Sequence, residues 1–438
     1  MQSVDILIEH GLVVTMDANQ AVLSDGAVAV SGAQIVAVGP TADLRGRFAA
    51  AETIDAANHV VMPGLINAHT HIPMTLFRGL ADDLSLEGFL EKMWVAESRI
   101  INPETIAVGT RLALAEMIAS GTTTALDMYW LPHPTAEVAR AIGFRLVNGF
   151  PAVDVDGPDG LTIDERLERS RAYLGTCQDD PQITPCVLVH GTYTVGPDHL
   201  AQAHDLADEF GALFHIHASE SIAEVGIVKE RYGQTPPELL ERLGALDERT
   251  VLAHCVQLSP EEIDLLAERG AAVAHCPLSN LKSGAGIAPV PQMRAAGVPV
   301  LLGTDGAASG NDLDMWKVIR LAAVLHRGVA HDPTLNPAPE VVKMATCDAA
   351  RALGLGDQIG SLEAGKRADL LLIGLDSPHL VPLYDVYSYL VYAVGRDDVK
   401  TVLIDGQVVM RDRALLTVDV PATIEQARSL AKQIQAEV

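Results

Sequence analysis

Hydrophobic and polar positions alternate over the first part of the chain, and this period changes near residue 58. From residue 4 to about 57, apolar residues tend to occupy every second position, with turns that contain glycine. Such alternation predicts short antiparallel strands and little helix. The same pattern returns after residue 360, with a hairpin signal at Asp405. We therefore predict that residues 1–57 and 360–438 together form one small β-sandwich domain.

Between these two segments, short apolar runs alternate with amphipathic segments. Runs such as TPCVLVHG and AAVAHCP have the length of buried strands, whereas DHLAQAHDLADEFG and SPEEIDLLAERG have helical spacing. A repeated order of strand and helix indicates parallel strands joined by crossover helices. Residues 58–359 are enough for a (β/α)8 barrel, which typically takes about 250 residues. We predict an α/β fold in which a (β/α)8 TIM barrel lies beside the β-sandwich domain.

Five apolar runs end in residues that can bind a metal or move a proton. In chain order these residues are His69 with His71, His190, His217 with Glu220, His254, and Asp305. In a (β/α)8 barrel the carboxyl ends of the strands lie on one face, so we expect these side chains to lie close together. Because alternate side chains of a strand share one side, His69 and His71 can approach the same ion.

A third imidazole would nearly complete a metal site, since catalytic metals commonly take three protein ligands and leave a position for water. We expect His217, in the run FHIHASE, to be this ligand, and we expect His215 to be a hydrogen-bonded core residue. Glu220 follows just beyond the strand end, where its carboxylate can reach a substrate without binding the metal. For Asp305, which precedes a glycine, the alternative is a turn or a helix cap.

Composition restricts the partners of the chain. The 57 acidic and 31 basic residues give a formal net charge of −26, which repels the polyanionic backbone of nucleic acids. No apolar run is long enough to span a bilayer, nothing at the amino terminus resembles a signal peptide, and the five cysteines form no C-x-x-C. We expect a cytoplasmic homo-oligomer with reduced thiols and a small-molecule substrate, and no nucleic-acid or membrane partner.

Together these motifs resemble the amidohydrolase superfamily, and within it the 5-methylthioadenosine/S-adenosylhomocysteine deaminases. The resemblance extends over nearly the whole chain, through PGLINAHTH, TLFRGLADDL, HIHASE, HCPLSNLK, GTDGAASGNDLDM and GSLEAGKRADL. It implies one divalent metal ion per chain, zinc in the first place and iron(II) as the alternative. The ligands that it implies are His69, His71, His217 and Asp305.

The resemblance also implies the roles of the remaining residues. Glu220, His254 and Asp305 would act on water and substrate in a hydrolytic deamination, in which an aminated ring carbon loses ammonia. Glu220 would supply the proton to the ring nitrogen. The positions that match substrate contacts of the family are Glu97 in WVAE, Arg145 in GFR, His190 and Glu220.

Two departures from the family pattern leave the substrate open. VHGTYT stands where the family usually has a PHAPYT-like stretch, and Gly157 lies where some members have a second arginine. No lysine near His190 could form the carbamate that bridges two metals in dihydropyrimidinase-like relatives, which favours one metal. We predict deamination of 5-methylthioadenosine, S-adenosylhomocysteine or adenosine. The alternatives are another aminated heterocycle (guanine, an oxidised purine, a pterin or an s-triazine) and a metal-binding scaffold without catalysis.

Overall fold

The computed structural model describes residues 1–437. Its strands, in chain order, are β1 (Gln2–Val14), β2 (Val22–Ser31), β3 (Gln34–Pro40), β4 (Phe48–Asp55), β5 (His59–Pro63), β6 (Leu65–Thr70), β7 (Thr122–Asp127), β8 (Arg145–Asn148), β9 (Pro151–Ala152), β10 (Ile183–Pro185), β11 (Val187–Gly191), β12 (Phe214–Ala218), β13 (Thr250–His254), β14 (Ala272–His275), β15 (Val300–Leu302), β16 (Leu370–Gly374), β17 (Val399–Ile404), β18 (Gln407–Arg411) and β19 (Ala414–Leu415).

Helices connect and cover these strands. The α-helices are α1 (Thr41–Arg47), α2 (Leu86–Ile100), α3 (Pro103–Ala119), α4 (Pro132–Ile142), α5 (Ile163–Cys177), α6 (Pro197–Phe210), α7 (Ile222–Tyr232), α8 (Pro236–Arg242), α9 (Pro260–Arg269), α10 (Pro277–Lys282), α11 (Val290–Ala296), α12 (Met315–Ala330), α13 (Ala338–Met344), α14 (Cys347–Ala352), α15 (Val386–Tyr392) and α16 (Val420–Glu437). Short 3-10 helices cover Ile72–Phe77, Pro378–Leu380 and Arg396–Asp398.

Both ends of the chain contribute to one mixed sheet. Its strand order is β19-β18-β17-β16-β5-β1-β2-β3, and β4 pairs in parallel with β1. Strands from the predicted ranges 1–57 and 360–438 therefore meet, although residue 438 lies outside the described residues. β5 (His59–Pro63) also belongs to this sheet, so the terminal sheet includes residues of the range 58–359 that the sequence predicts for the barrel. The two-layer sandwich stays a prediction.

The apolar run that leads to His69 and His71 forms two strands in two different sheets. β5 pairs with β1 and β16 in the terminal sheet, and β6 pairs with β7. The chain passes between the sheets at Gly64, where a Cβ atom would lie 2.0 Å from the Oγ1 atom of Thr123. Only glycine allows the backbone to approach β7 this closely.

The central part of the chain has the predicted α/β organisation. Its strands form two all-parallel sheets, with the orders β10-β8-β7-β6 and β15-β14-β13-β12-β11-β9. Backbone hydrogen bonds join the two sheets on both sides, from Cys186 to Asn148 (3.0 Å) and from Asp305 to His69 (3.0 Å). The carboxyl ends of the strands consequently lie on one face of the assembly, which is where parallel α/β proteins place their sites.

The cysteines agree with the prediction of reduced thiols. All five are free, and Cys177, Cys186, Cys255 and Cys276 are buried. Within residues 1–437, no helix combines the length and the apolar character that a membrane crossing requires.

Candidate metal centre and active site

Strand pairing brings five predicted site residues to one point. His69 lies near the end of β6 and His71 directly follows it, while His217 lies on β12, His254 ends β13 and Asp305 follows β15. The ring centroids of His71 and His217 both lie 4.9 Å from that of His69, and that of His254 lies 5.3 Å from it. The carboxylate Oδ1 of Asp305 lies 3.5 Å from His69 Nε2 and 3.2 Å from His71 Nε2.

A chain of hydrogen bonds fixes the tautomer of His69. The Nδ1 atom of His215 lies 2.8 Å from the carbonyl oxygen of Val251, so Nδ1 donates and Nε2 must accept. The donor to that Nε2 is Nδ1 of His69, at 2.8 Å. His69 consequently directs the lone pair of its Nε2 atom at the cluster, and this buried atom has no hydrogen-bond partner among the described residues. The expectation that His215 is a hydrogen-bonded core residue is confirmed.

The other two predicted imidazole ligands are held in the same way. Nδ1 of His71 donates to the carbonyl oxygen of Met128, and Nδ1 of His217 donates to that of His190 at 2.6 Å. Nε2 of His217 is therefore left with its lone pair, whereas Nε2 of His71 faces the Asp305 carboxylate at 3.2 Å and carries a proton that a metal would have to displace. Metal-bound histidines commonly donate their second ring nitrogen to a carbonyl or carboxylate, which fixes the ring orientation.

Asp305 is held by donors on both oxygens. Its Oδ2 accepts a hydrogen bond from Ser279 Oγ at 2.6 Å, and its Oδ1 accepts one from the backbone of Gly306 at 2.7 Å. Burial would raise the pKa of Asp305, but His69 and His71 hold it well below its usual range, so the carboxylate is ionised. This anchoring does not support the alternative of a simple turn or helix cap.

These donors suit a divalent metal ion. Ligand atoms of His69, His71 and Asp305 lie within 4.8 Å of one another, and so do those of His69, His217 and His254. Both groups include His69, so the five residues form one contiguous cluster. Once His71 has lost its proton, these residues offer three neutral imidazoles and an ionised carboxylate, a common donor set for zinc, and the buried Nε2 of His69 has no hydrogen-bond partner among the described residues.

Two further residues complete the reactive part of the site. Oε2 of Glu220 lies 3.7 Å from Nε2 of His254. The backbone of Glu220 is fixed by Glu224, whose Oε2 accepts a hydrogen bond from the Glu220 amide at 2.6 Å. Nδ1 of His254 accepts a hydrogen bond from the Asn280 amide at 3.0 Å, and burial lowers the pKa of His254 to about 4. His254 is therefore neutral at pH 7.

Left-handed backbone conformations turn several of these side chains toward the centre. Non-glycine residues with positive φ occur at or just beyond three strand ends, at Ser219 (52°), His254 (74°), Cys255 (48°) and Asp305 (60°). Such conformations are uncommon and cluster at functional sites. Backbone hydrogen bonds hold the turns, as from Cys255 to Ala218 at 3.1 Å.

A pocket opens from this centre toward α2. Its empty volume is about 1030 Å³, open solvent at the mouth included. His190 lines it, with Nδ1 at 2.9 Å from Thr194 Oγ1, and burial lowers the pKa of this histidine to about 3. Glu97 of α2 lines it as well. The apolar lining near the start of α2 consists of Leu84, Leu86, Phe89, Leu90 and Met93.

Glu97 is held by two neighbours that the sequence analysis did not single out. Its Oε1 accepts from Tyr129 Oη at 2.7 Å, and its Oε2 accepts from Trp130 Nε1 at 3.0 Å. Both residues directly follow β7 in the sequence MYW. The signal was present, because aromatic residues just beyond an apolar run occupy the same strand-end position as the histidines.

Arg145 does not reach the pocket, so its assignment as a substrate contact is wrong. It is the first residue of β8 and lies at the amino end of the strand, opposite the site. Its Nε donates to Asp369 at 2.9 Å and its Nη2 to Asp405, both in the carboxyl-terminal part of the terminal sheet, and Nη1 donates to Pro181 O at 3.0 Å. Arg145 therefore joins the parallel strands to the terminal sheet.

Comparison with known proteins gives consistent matches. The sequence profile of the amidohydrolase family matches residues 60–409, and that of the bacterial imidazolonepropionase-like composite domain matches residues 26–51. A 5-methylthioadenosine/S-adenosylhomocysteine deaminase of Syntrophobacter fumaroxidans is 44% identical over 432 residues, which are 98% of each protein. A 5'-deoxyadenosine deaminase of Methanosarcina mazei is 38% identical over 99% of each protein. The crystal structure of a zinc-bound adenosine deaminase from Xanthomonas campestris superposes with a TM-score of 0.97 at 42% identity, covering 99% of both chains.

The first prediction concerns metal binding and its proton balance. Without metal, the hydrogen bond and charge of Asp305 overcome burial and raise the pKa of His71 to about 9, while burial lowers that of His69 to about 4. Below pH 9 the metal must displace the proton of His71, because only a neutral imidazole is a ligand. We expect one ion per chain, with release of about one proton at pH 7, measured by calorimetry in buffers of different ionisation enthalpy.

Two variants serve as test and control for this prediction. His217→Asn should abolish stoichiometric binding, whereas His204→Asn, in the separate cluster with Asp208 and Asp247, should leave it unchanged. Binding of two ions per chain, or binding without proton release, would contradict the assignment.

The second prediction separates a structural from a substrate-binding role for Arg145. Arg145→Met leaves the buried carboxylate of Asp369 unpaired, so we expect a loss of about 3–5 kcal/mol in the free energy of unfolding. Arg351→Met, at a side chain that is 73% exposed, should cost less than about 0.5 kcal/mol. The KM of the folded Arg145 variant should stay within twofold, and a large rise in KM at unchanged stability would restore the substrate contact.

Proposed function

The chain belongs to the amidohydrolase family, and we propose that it hydrolytically deaminates an adenosine-type nucleoside to the inosine analogue and ammonia. One observation carries the proposal. Glu220, His254 and Asp305 converge on a centre with three imidazoles that can bind a metal, and a buried carboxylate, that of Glu97, lines the same pocket. The first feature fits hydrolysis of a carbon–nitrogen bond and the second fits a ribose. Binding alone would need no proton-transfer groups.

The residues around the centre can move every proton of the reaction. A divalent ion held by His69, His71, His217 and Asp305 would lower the pKa of water to about 7. His254 holds the attacking water by a hydrogen bond. Glu220 takes its first proton and delivers it to the ring nitrogen beside the aminated carbon. Asp305 carries the second proton to the amine, which leaves as ammonia while the ring carbon becomes a carbonyl.

The other end of the pocket fits the sugar. Leu90, Met93, Trp94 and Glu97 line the pocket and follow the spacing i, i+3, i+4, i+7, so one face of α2 lies along it. Leu90 and Glu97 are about 10 Å apart along the axis of the helix. With the base at the metal centre and the ribose hydroxyls at Glu97, the 5' substituent extends along the apolar residues of α2.

The lining favours an uncharged 5' substituent. Among the described residues that line the pocket, Lys282 is the one lysine or arginine. Its Nζ already donates to Asp82 at 2.6 Å, Asn311 at 2.9 Å and Ala308 O at 3.3 Å. A carboxylate on the substituent would therefore lose water without gaining a cation. We rank 5-methylthioadenosine and 5'-deoxyadenosine above S-adenosylhomocysteine.

The barrel, its neighbouring domain and the identity of the metal belong to the same proposal. The two parallel sheets and the hydrogen bonds between them support a (β/α)8 barrel, beside a domain from residues 1–57 and 360–438. The donor set and the zinc-bound relative support zinc as the single ion. The cytoplasmic location and the homo-oligomeric state stay predictions.

The third prediction tests the role of Glu220. Glu220→Gln keeps the shape of the side chain but cannot shuttle a proton, so turnover should fall at least ~100-fold while metal content and thermal stability stay unchanged. Glu230→Gln, at an exposed position of α7, is the control and should have full activity. An emptied metal site, or turnover within twofold of the unchanged protein, would refute the proton-transfer role.

The fourth prediction tests the substrate class by ammonia release from a panel of compounds. Nucleosides should exceed adenine and guanine in kcat/KM by at least ~100-fold, because a free base leaves the buried acceptors of Glu97 unpaired. Within the nucleosides, 5-methylthioadenosine should exceed S-adenosylhomocysteine roughly tenfold. Glu97→Ala should erode the preference for nucleosides, and Glu91→Ala, at an exposed position of the same helix, should not. If guanine or an s-triazine were the best substrate, the proposed function would be wrong.

A further inference from the structure

The carboxylate of Glu97 is buried and leaves two acceptor positions for a ligand. Its residue is 4% exposed, and burial raises its pKa, while the hydrogen bonds from Tyr129 and Trp130 act in the opposite direction. Each carboxylate oxygen has two lone pairs, and each accepts one of these two bonds. One lone pair per oxygen remains, which matches two adjacent hydroxyl groups.

The indole ring of Trp130 is itself fixed, by a buried arginine. The guanidinium carbon of Arg166 lies 5.1 Å from the ring centroid of Trp130. Arg166 projects from the first turn of α5 and donates to both oxygens of Asp159, at 3.0 and 2.6 Å. Its Nη1 donates to the carbonyl oxygens of Val153 and Val155. Four of its five N–H groups are thus engaged away from the pocket, and the cation stacks on the ring.

The surroundings of Gly157 show how closely the side chains of Arg166 and Trp130 are packed. A Cβ atom at Gly157 would lie 2.5 Å from Nη2 of Arg166 and 2.7 Å from Cζ3 of Trp130. In this segment the sequence lacks the second arginine of some family members. The structure instead supplies an arginine from α5, which contacts Trp130 and does not line the pocket.

We propose that Tyr129 and Trp130 are positioning residues for ribose recognition, and that Arg166, through its stacking on Trp130, fixes the orientation of the Glu97 carboxylate. This inference rests on the proposed function. Tyr129 and Trp130 set the direction of the two free lone pairs, and Asp159 holds Arg166 in place. Selectivity for a nucleoside with both hydroxyls therefore depends on residues that act through Glu97.

The test compares adenosine with 2',3'-dideoxyadenosine, which have the same base and differ in the hydroxyls. Trp130→Phe keeps an aromatic ring but removes the N–H donor, and Tyr129→Phe removes only the O–H donor. We define the selectivity ratio as kcat/KM for adenosine divided by kcat/KM for 2',3'-dideoxyadenosine. Each variant should lower this ratio roughly tenfold, mainly because KM for adenosine rises, with kcat and metal content unchanged. Arg166→Met should lower the ratio as well.

Matched controls remove the same donors elsewhere. Trp316→Phe deletes the hydrogen bond from Nε1 to Ser120 O (2.8 Å), and Tyr173→Phe deletes that from Oη to Asn148 Oδ1 (2.6 Å). Both residues are buried and neither lines the pocket. The ratio of kcat/KM for adenosine to that for 2',3'-dideoxyadenosine should be the same in these two variants as in the unchanged protein. A lower ratio in them would indicate a general effect of losing a buried hydrogen bond.

Double variants decide whether the effect passes through Glu97. In a Glu97→Ala background, Trp130→Phe and Tyr129→Phe should have no further effect on the ratio, because the group that they position is absent. If the single variants keep the ratio, or if their effects add fully to that of Glu97→Ala, the inference is overturned. If Glu97→Ala itself keeps the ratio, the ribose contact of the proposed function is wrong instead.

Discussion

The anchoring of imidazole Nδ1 atoms by neighbouring strands is the interaction on which the site depends. His71 of the β6 end donates to Met128 at the end of β7, and His217 of β12 donates to His190 of β11. His215 of β12 donates to Val251 of β13 and accepts from His69. Every one of these bonds crosses to another strand. The register of the parallel sheets therefore fixes which ring nitrogen faces the centre, and a slip of one residue would turn it away.

The charge balance of the centre follows from the same arrangement. Burying several charged groups is costly, so a metal-free cluster should hold few of them. Burial keeps His69 and His254 neutral, with pKa values lowered to about 4, while Asp305 is ionised and His71 carries a proton. The charges of Asp305 and His71 thus balance in the metal-free cluster, and the bonds from Nδ1 of His69, His71 and His217 already orient the imidazoles. A dication held by these residues would replace the proton of His71.

Strand position alone predicts that the candidate catalytic residues lie close together, because this follows from local sequence, and the structure brings them together. His69, His217, His254 and Asp305 all close or directly follow an apolar run, and the topology of parallel strands places such residues on one face. Arg145 precedes its apolar run, so the same reasoning would have put it at the opposite face, where it lies. The resemblance to a family led to the wrong role there. The partners Asp369 and Asp405 could not be foreseen, because the ion pairs join segments more than 200 residues apart.

The recognition end of the pocket has a different physical basis. It is formed by one face of α2 and by the segments after β7 and β9, which pack in an apolar cluster that includes Met93, Tyr129, Trp130, Val153 and, from α16, Ile434. Side-chain packing and the contacts of Glu97 and Arg166 hold this cluster just beyond the paired strands. Changes there can alter the shape and charge of the pocket without shifting the imidazoles. On the proposed function, the strands would determine the chemistry and α2 would determine which substituents fit, so a single scaffold could keep one reaction and accept different substituents.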